Sequence, residues 1–207
     1  MMKRSDYIAP ENWYGSFYEL AIEYVPQGDD ERLRKAIAAL WDMPSLVGPW
    51  RERQQFGQSP SRTDGLEFDE SSRLYGVLEL SNHQSLGCLS VTVREDSGPD
   101  CSDWLDFCIP TGMLGLVFHV SYPLYREENP WMQRIETFLL SLAERVYQAS
   151  PFELANIGEE VSGRPRRSEL TESLLSLGGI LLPLEFAKQF EANTTAVALP
   201  SGLRWFP

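Results

Sequence analysis

The chain has 207 residues, 43% hydrophobic and 23% charged, and a formal net charge of −12. That length suits one large or two small domains, and the composition is that of globular rather than disordered material. The acidic balance argues against a nucleic-acid partner, because its field repels a phosphate backbone, and no run of roughly 18 apolar residues offers a membrane span.

The opening Met1-Met2-Lys3-Arg4-Ser5-Asp6 is basic but has no apolar stretch behind it, so it does not read as a secretory signal. The three cysteines, Cys88, Cys101 and Cys108, are odd in number and lack paired Cys-x-x-Cys spacing. Reduced thiols in a cytoplasmic protein are the expectation.

Residues 1–16 form an irregular lead-in. From Phe17 to Val25 the side chains alternate, with Tyr18, Leu20, Ile22 and Tyr24 on one face and Glu19, Ala21 and Glu23 on the other. That period of two predicts a strand with one packed face and one wetter face. Asp29 or Asp30 is placed to cap a helix to about Asp42, buried along Leu33, Ile37, Leu40 and Trp41. Residues 44–73, with Pro49, Gly57, Pro60 and Gly65, read as a long excursion.

A meander follows, in three strand-like runs: Leu74–Leu80, Leu86–Arg94 and Trp104–Pro110. Asn82–Ser85 and the Ser97-Gly98-Pro99 loop supply its turns. A further strand is predicted over 112–122, centred on Leu116–Val120. Asn129 and Pro130 then open the strongest helix, in which Trp131, Ile135, Phe138, Leu139, Leu142 and Val146 keep helical spacing until Pro151. Beyond it the sequence predicts a strand at 152–158, a basic turn at 163–167 and a short helix capped by Ser168. A brief strand at 180–182, a helical turn from Leu184 and a closing hairpin around Pro200-Ser201-Gly202 complete the chain. The expectation is one α+β domain over 1–207, an antiparallel sheet with two main amphipathic helices on one face. The halves 13–110 and 111–207 also allow a duplicated β-α-β-β, ferredoxin-like plan.

Between Asp64 and Asp106 ten Asp/Glu stand against two Arg, a net −8, so the negative charge is local. One reading is a docking surface for a basic partner, built from Asp96, Asp100, Asp103 and Asp106 with Trp104 and Tyr75 as aromatic anchors. The other is a set of solvated loops. The same aspartates are oxygen ligands for a hard cation, but their spacing is not that of an EF-hand loop, and no metal or cofactor is expected. His83 and His119 are the only histidines. A pocket joining His119 to Glu159 and Glu160 would support acid–base chemistry, while a pairing of His119 with Cys108 has no local support. Arg164-Pro165-Arg166-Arg167 is suited to gripping an anion or balancing the acidic face. No phosphate loop, dinucleotide fingerprint, Gly-x-Ser-x-Gly elbow or His-Glu-x-x-His is present.

Scattered patches carry a family likeness: Trp13-Tyr14-Gly15 with the strand and helix after it, Leu74-Tyr75-Gly76-Val77, Trp104-Leu105-Asp106-Phe107 and Ile157-Gly158-Glu159-Glu160. Together they resemble acidic bacterial immunity proteins of polymorphic toxin systems. The resemblance implies a cytoplasmic, non-enzymatic inhibitor that binds a basic toxin domain. Two alternatives stand beside it: an enzyme or small-ligand module with a carboxylate-rich pocket, and a structural subunit of a larger complex.

Overall fold

The structure, a computed structural model, describes residues 2–63, 66, 71–95, 101–190 and 195–207. Nine strands form one sheet: β1 (Phe17–Tyr24), β2 (Leu46–Trp50), β3 (Ser71–Glu79), β4 (Ser85–Arg94), β5 (Asp103–Pro110), β6 (Leu154–Glu159), β7 (Ile180–Pro183), β8 (Val197–Ala198) and β9 (Leu203–Phe206). Their order is β2-β3-β4-β5-β1-β6-β7-β9-β8, and every neighbouring pair is antiparallel. Six helices accompany them among the described residues: α1 (Arg4–Ile8), α2 (Asp30–Trp41), α3 (Thr111–Gly115), α4 (Trp131–Ala149), α5 (Glu172–Leu175) and α6 (Leu184–Ala187). The α+β class is as expected from the sequence.

The two long helices, α2 and α4, lie together on one face of the sheet. Leu33, Ile37, Leu40 and Trp41 of α2 and Trp131, Ile135, Leu139, Leu142 and Val146 of α4 share one core with Tyr18, Leu20, Ile22 and Tyr24 of β1 and Leu105, Phe107 and Ile109 of β5. Each such side chain taken from water stabilises the fold by roughly 1.5–3 kcal/mol, which is why the 3.6-residue stripe decides where these helices land. The Asp29 carboxylate caps α2, accepting from the Arg32 amide at 3.0 Å. The Trp41 indole donates to Ser90 Oγ at 3.0 Å and lies against Gly76, where a Cβ would meet the ring at 2.3 Å.

Four expectations change. Residues 112–122 do not form a strand: α3 and an irregular stretch occupy them, with Gly112 donating to the Tyr14 carbonyl and Phe118 stacked on Trp131. The aromatic pattern there serves packing above β5 rather than a sheet. Consequently the two halves are wired differently. Helix α2 carries the chain from β1 past three strands to the edge strand β2, whereas α4 carries it from β5 past β1 alone to β6, so no single β-α-β-β path repeats. Finally, Asn129 does not cap α4 with its side chain; it is buried and ties Ser121 and Tyr125 to the helix entrance. Thr171, not Ser168, caps the short helix α5.

The second face of the sheet is covered in three parts. Near β2 and β3, Tyr7, Trp13, Trp50, Phe56 and Tyr75 make an aromatic cluster, in which Tyr7 stacks on Phe56 at 4.6 Å. Near β7 and β9, α5 and α6 enclose Leu154, Ile180, Leu182 and Phe206. Between them, across β5, β1 and β6, the covering is polar, and it consists of the chain following β6.

Candidate functional site

Strand register brings together residues far apart in sequence on this central strip. Glu19 sits opposite Cys108 on one side and Gly158 on the other. In the next row Ala21 lies between Asp106 and Asn156, and in the next Glu23 lies between Trp104 and Leu154. The face read as wetter in β1 is therefore buried: Glu19 and Glu23 are each 2% exposed. Central position in a nine-stranded sheet, not side-chain polarity, sets that burial.

A strap, residues 160–167, closes over the strip and supplies donors to its carboxylates. The Ser162 amide donates to Glu19 at 2.8 Å, and the Ser162 hydroxyl donates to Asp106 Oδ2 at 2.6 Å. The other Glu19 oxygen accepts from the Cys108 thiol at 3.3 Å. The Arg167 amide and the Ser102 hydroxyl each donate to Glu23 at 2.7 Å. Asn156 Nδ2 donates to the Pro165 carbonyl at 3.1 Å. Asp106 Oδ1 and Asn156 Oδ1 are buried without a hydrogen-bond partner among the described residues.

Neither Glu19 nor Asp106 forms an ion pair among the described residues. Burial accordingly raises the Asp106 carboxyl to about 7, opposed by the Ser162 hydrogen bond and reinforced by Glu19. Burial raises Glu19 and Glu23 as well, and lifts the Cys108 thiol well above its usual range. A proton held by such a pair is an ingredient of acid–base chemistry, but the strap occupies the space in which a substrate would have to sit. Among the described residues no three His, Cys, Asp or Glu are grouped to hold a metal ion.

The expected docking residues separate into different places. Asp96 and Asp100 lie outside the described residues. Asp103, Trp104 and Asp106 are 1%, 2% and 4% exposed, so they are not an accessible acidic surface. Asp103 is bonded to Arg94 and to the Gly28 amide, and the Trp104 indole donates to Glu95. Tyr75 belongs to the aromatic cluster, edge-on to Trp13 at 5.3 Å. The basic turn balances acid locally: Arg166 pairs with Glu95 at 2.8 Å, and Arg167 lies over the Phe186 ring. None of Cys88, Cys101 and Cys108 forms a disulfide among the described residues. His119 is exposed in the irregular stretch, and no bond joins it to Glu159 or Glu160.

Glu159 and Glu160 instead mark an exposed patch at one end of the sheet. Glu159 accepts from the Ser16 hydroxyl, which also meets the Tyr122 hydroxyl at 3.4 Å. Glu160, held at φ 51°, accepts from the Phe17 amide at 2.7 Å. Tyr14, two residues before Ser16, is 69% exposed, and Tyr122 is 57% exposed. Leu116 and Tyr125 are exposed on the same 115–129 stretch, beside the exposed Glu127 and Glu128. Glu159 and Glu160 have no cationic partner among the described residues. Among the described residues, cavities lie elsewhere. One of about 660 Å³ lies between α2 and α4 near Lys35, Asp42 and Arg145; another, of about 270 Å³, is beside Trp50 and Phe56.

Glu19, Glu23, Asn156 and Ser162 escape a reading of the sequence. Only the alternation of glutamates in β1 hints at them, and a solvated face leaves the same signal. Comparison of the chain with protein-family models, curated proteins and solved structures returns no match. Among the described residues no helix is long and apolar enough to cross a membrane.

Proposed function

We propose that this protein is a non-enzymatic, protein-binding inhibitor, of the kind that neutralises a basic toxin domain in the bacterial cytoplasm. The observation that carries the reading is the patch at the sheet end, where Ser16 joins exposed Tyr122 to Glu159, with Glu160 next in the chain and exposed Tyr14 two residues before Ser16. Tyrosine gives contact area at low entropic cost, and uncompensated carboxylates steer a basic partner and reject acidic ones. The net charge of −12 acts in the same direction over longer range. The docking face thus moves from the meander to the ends of β1 and β6.

The test is retention of proteins from the source organism's lysate on immobilised wild type and on a Tyr14→Ala/Tyr122→Ala/Glu159→Lys variant of matched melting temperature. The expected result is a basic protein held stoichiometrically by the wild type at about 50 mM salt, released as salt screens the charges, and not held by the variant. Equal retention by both proteins, or recovery of no basic protein, would overturn the reading.

A further inference from the structure

The strap begins where the patch ends. Glu160 belongs to both, directly after Glu159 at the end of β6, and two residues later Ser162 is clamped by Glu19 and Asp106. This clamp has an unusual composition. Its two carboxylates come from adjacent strands, each nearly fully buried, and what they share is one serine rather than a cation.

We infer that Glu19 and Asp106 form a proton-dependent latch for the strap, holding the Glu159–Glu160 end of the docking patch in place when the pair retains protons and loosening it when both ionise. This rests on the docking reading for its consequence, though not for its mechanism.

The groups around the latch support that sign. From β1 come Glu19 itself and, farther along, Glu23; from β5, Asp106 and Cys108; from β6, the uncharged Asn156; from the strap, Glu160 and Arg166; from β4, apolar Val91. Glu160 acts on Glu19 with the same sign of charge, and Arg166 is engaged by Glu95 and acts on Glu23. The charge nearest Asp106 is thus another carboxylate, and its second oxygen has no donor. With the strap closed, the carboxyl keeps its proton up to about pH 7. With the strap open, water restores an ordinary carboxylate value near 4. Opening therefore releases a proton between those limits, so the closed form is favoured most at the acid end. That advantage fades as pH rises towards 7 and is level above it. Glu19, raised for the same reason, adds in the same direction.

Amide hydrogen exchange of the free protein tests this, after correction for the intrinsic pH dependence of exchange. The strap reporters are the amides of Ser162 and Arg167; Leu20 and Phe107 in the sheet report global opening. In the wild type, strap protection is expected to fall by up to about tenfold per pH unit from pH 4.5 to 7 and then level off. In Glu19→Gln/Asp106→Asn, which keeps acceptors for both Ser162 bonds, that dependence is expected to fall to less than half on a logarithmic scale. Asp106→Asn alone provides the comparison if the double variant folds poorly. Flat wild-type protection, or an unchanged slope in the variants, would overturn the latch. Because the experiment contains no partner, its failure is separate from that of the docking reading. Conversely, a strap that responds in a protein that captures nothing would sink docking and leave the latch standing.

Discussion

Glu19 and Asp106, on neighbouring strands and 87 positions apart, are both held by one residue, Ser162. Both carboxylates are buried and neither has a cationic partner among the described residues, so charge on the pair opposes the fold. Ordinary buried acids gain an Arg or Lys, as Asp103 does from Arg94.

The first prediction concerns stability and pH. The Asp106 carboxyl rises from the ordinary 3.8 to about 7, so its contribution is fully present below pH 3.8 and lost as pH rises through 7. Asp106→Asn removes that loss. Urea denaturation should show the variant about 1–3 kcal/mol more stable at pH 8, with little or no advantage at pH 4. A variant equally destabilised at both values would show that Asp106 contributes through its shape and hydrogen bond and not through its titration.

Arg94 presents the opposite case. Its guanidinium donates twice to Asp103 and once to Asp30, and Asp103 is buried. Arg94→Met would leave a buried charge held by the Gly28 amide. A loss of about 3 kcal/mol is expected at neutral pH. Arg94→Met/Asp103→Leu should recover part of it, read from the same denaturation midpoints; no recovery would mean the charge pair is not the cause.

Gly76 is required by space. A Cβ there would meet Trp41 at 2.3 Å and the Val47 carbonyl at 2.9 Å, so helix and strand cannot keep their separation. Gly76→Ala should cost about 1–3 kcal/mol. Gly57→Ala is a useful comparison: nothing lies within 4 Å of its Cβ, and its cost should come from its φ of 81° alone. Thermal unfolding of both variants separates the two causes.

The cap of α2 offers a smaller, cleaner effect. Asp29→Ala removes the acceptor for the Arg32 amide and a negative charge from the helix entrance. A loss of about 1 kcal/mol is expected, and Asp29→Asn should retain most of the stability because its side-chain oxygen still accepts. If asparagine were as poor as alanine, charge rather than the hydrogen bond would be the source.

The period of two in β1, the 3.6-residue stripes of α2 and α4 and the turns of the meander are local properties, so the residues themselves determined them. They placed the core face, the two long helices and the α+β class. They also led to a strand over 112–122, because Leu116–Val120 is apolar whether it pairs in a sheet or packs against Trp131. Polarity misled in the same way at Glu19, Glu23 and Asp106: a carboxylate facing water and one facing backbone donors have the same letter. Only the tertiary structure decided between them, since strand order put β1 at the centre, register set Glu19 and Asp106 on adjoining strands, and residues 160–167 returned to cover them. Those are long-range pairings, made by the sum of many contacts rather than by any one stretch. For the same reason Asp103, Trp104 and Asp106, expected on a surface, became interior, while Tyr122, Glu159 and Glu160 came together outside.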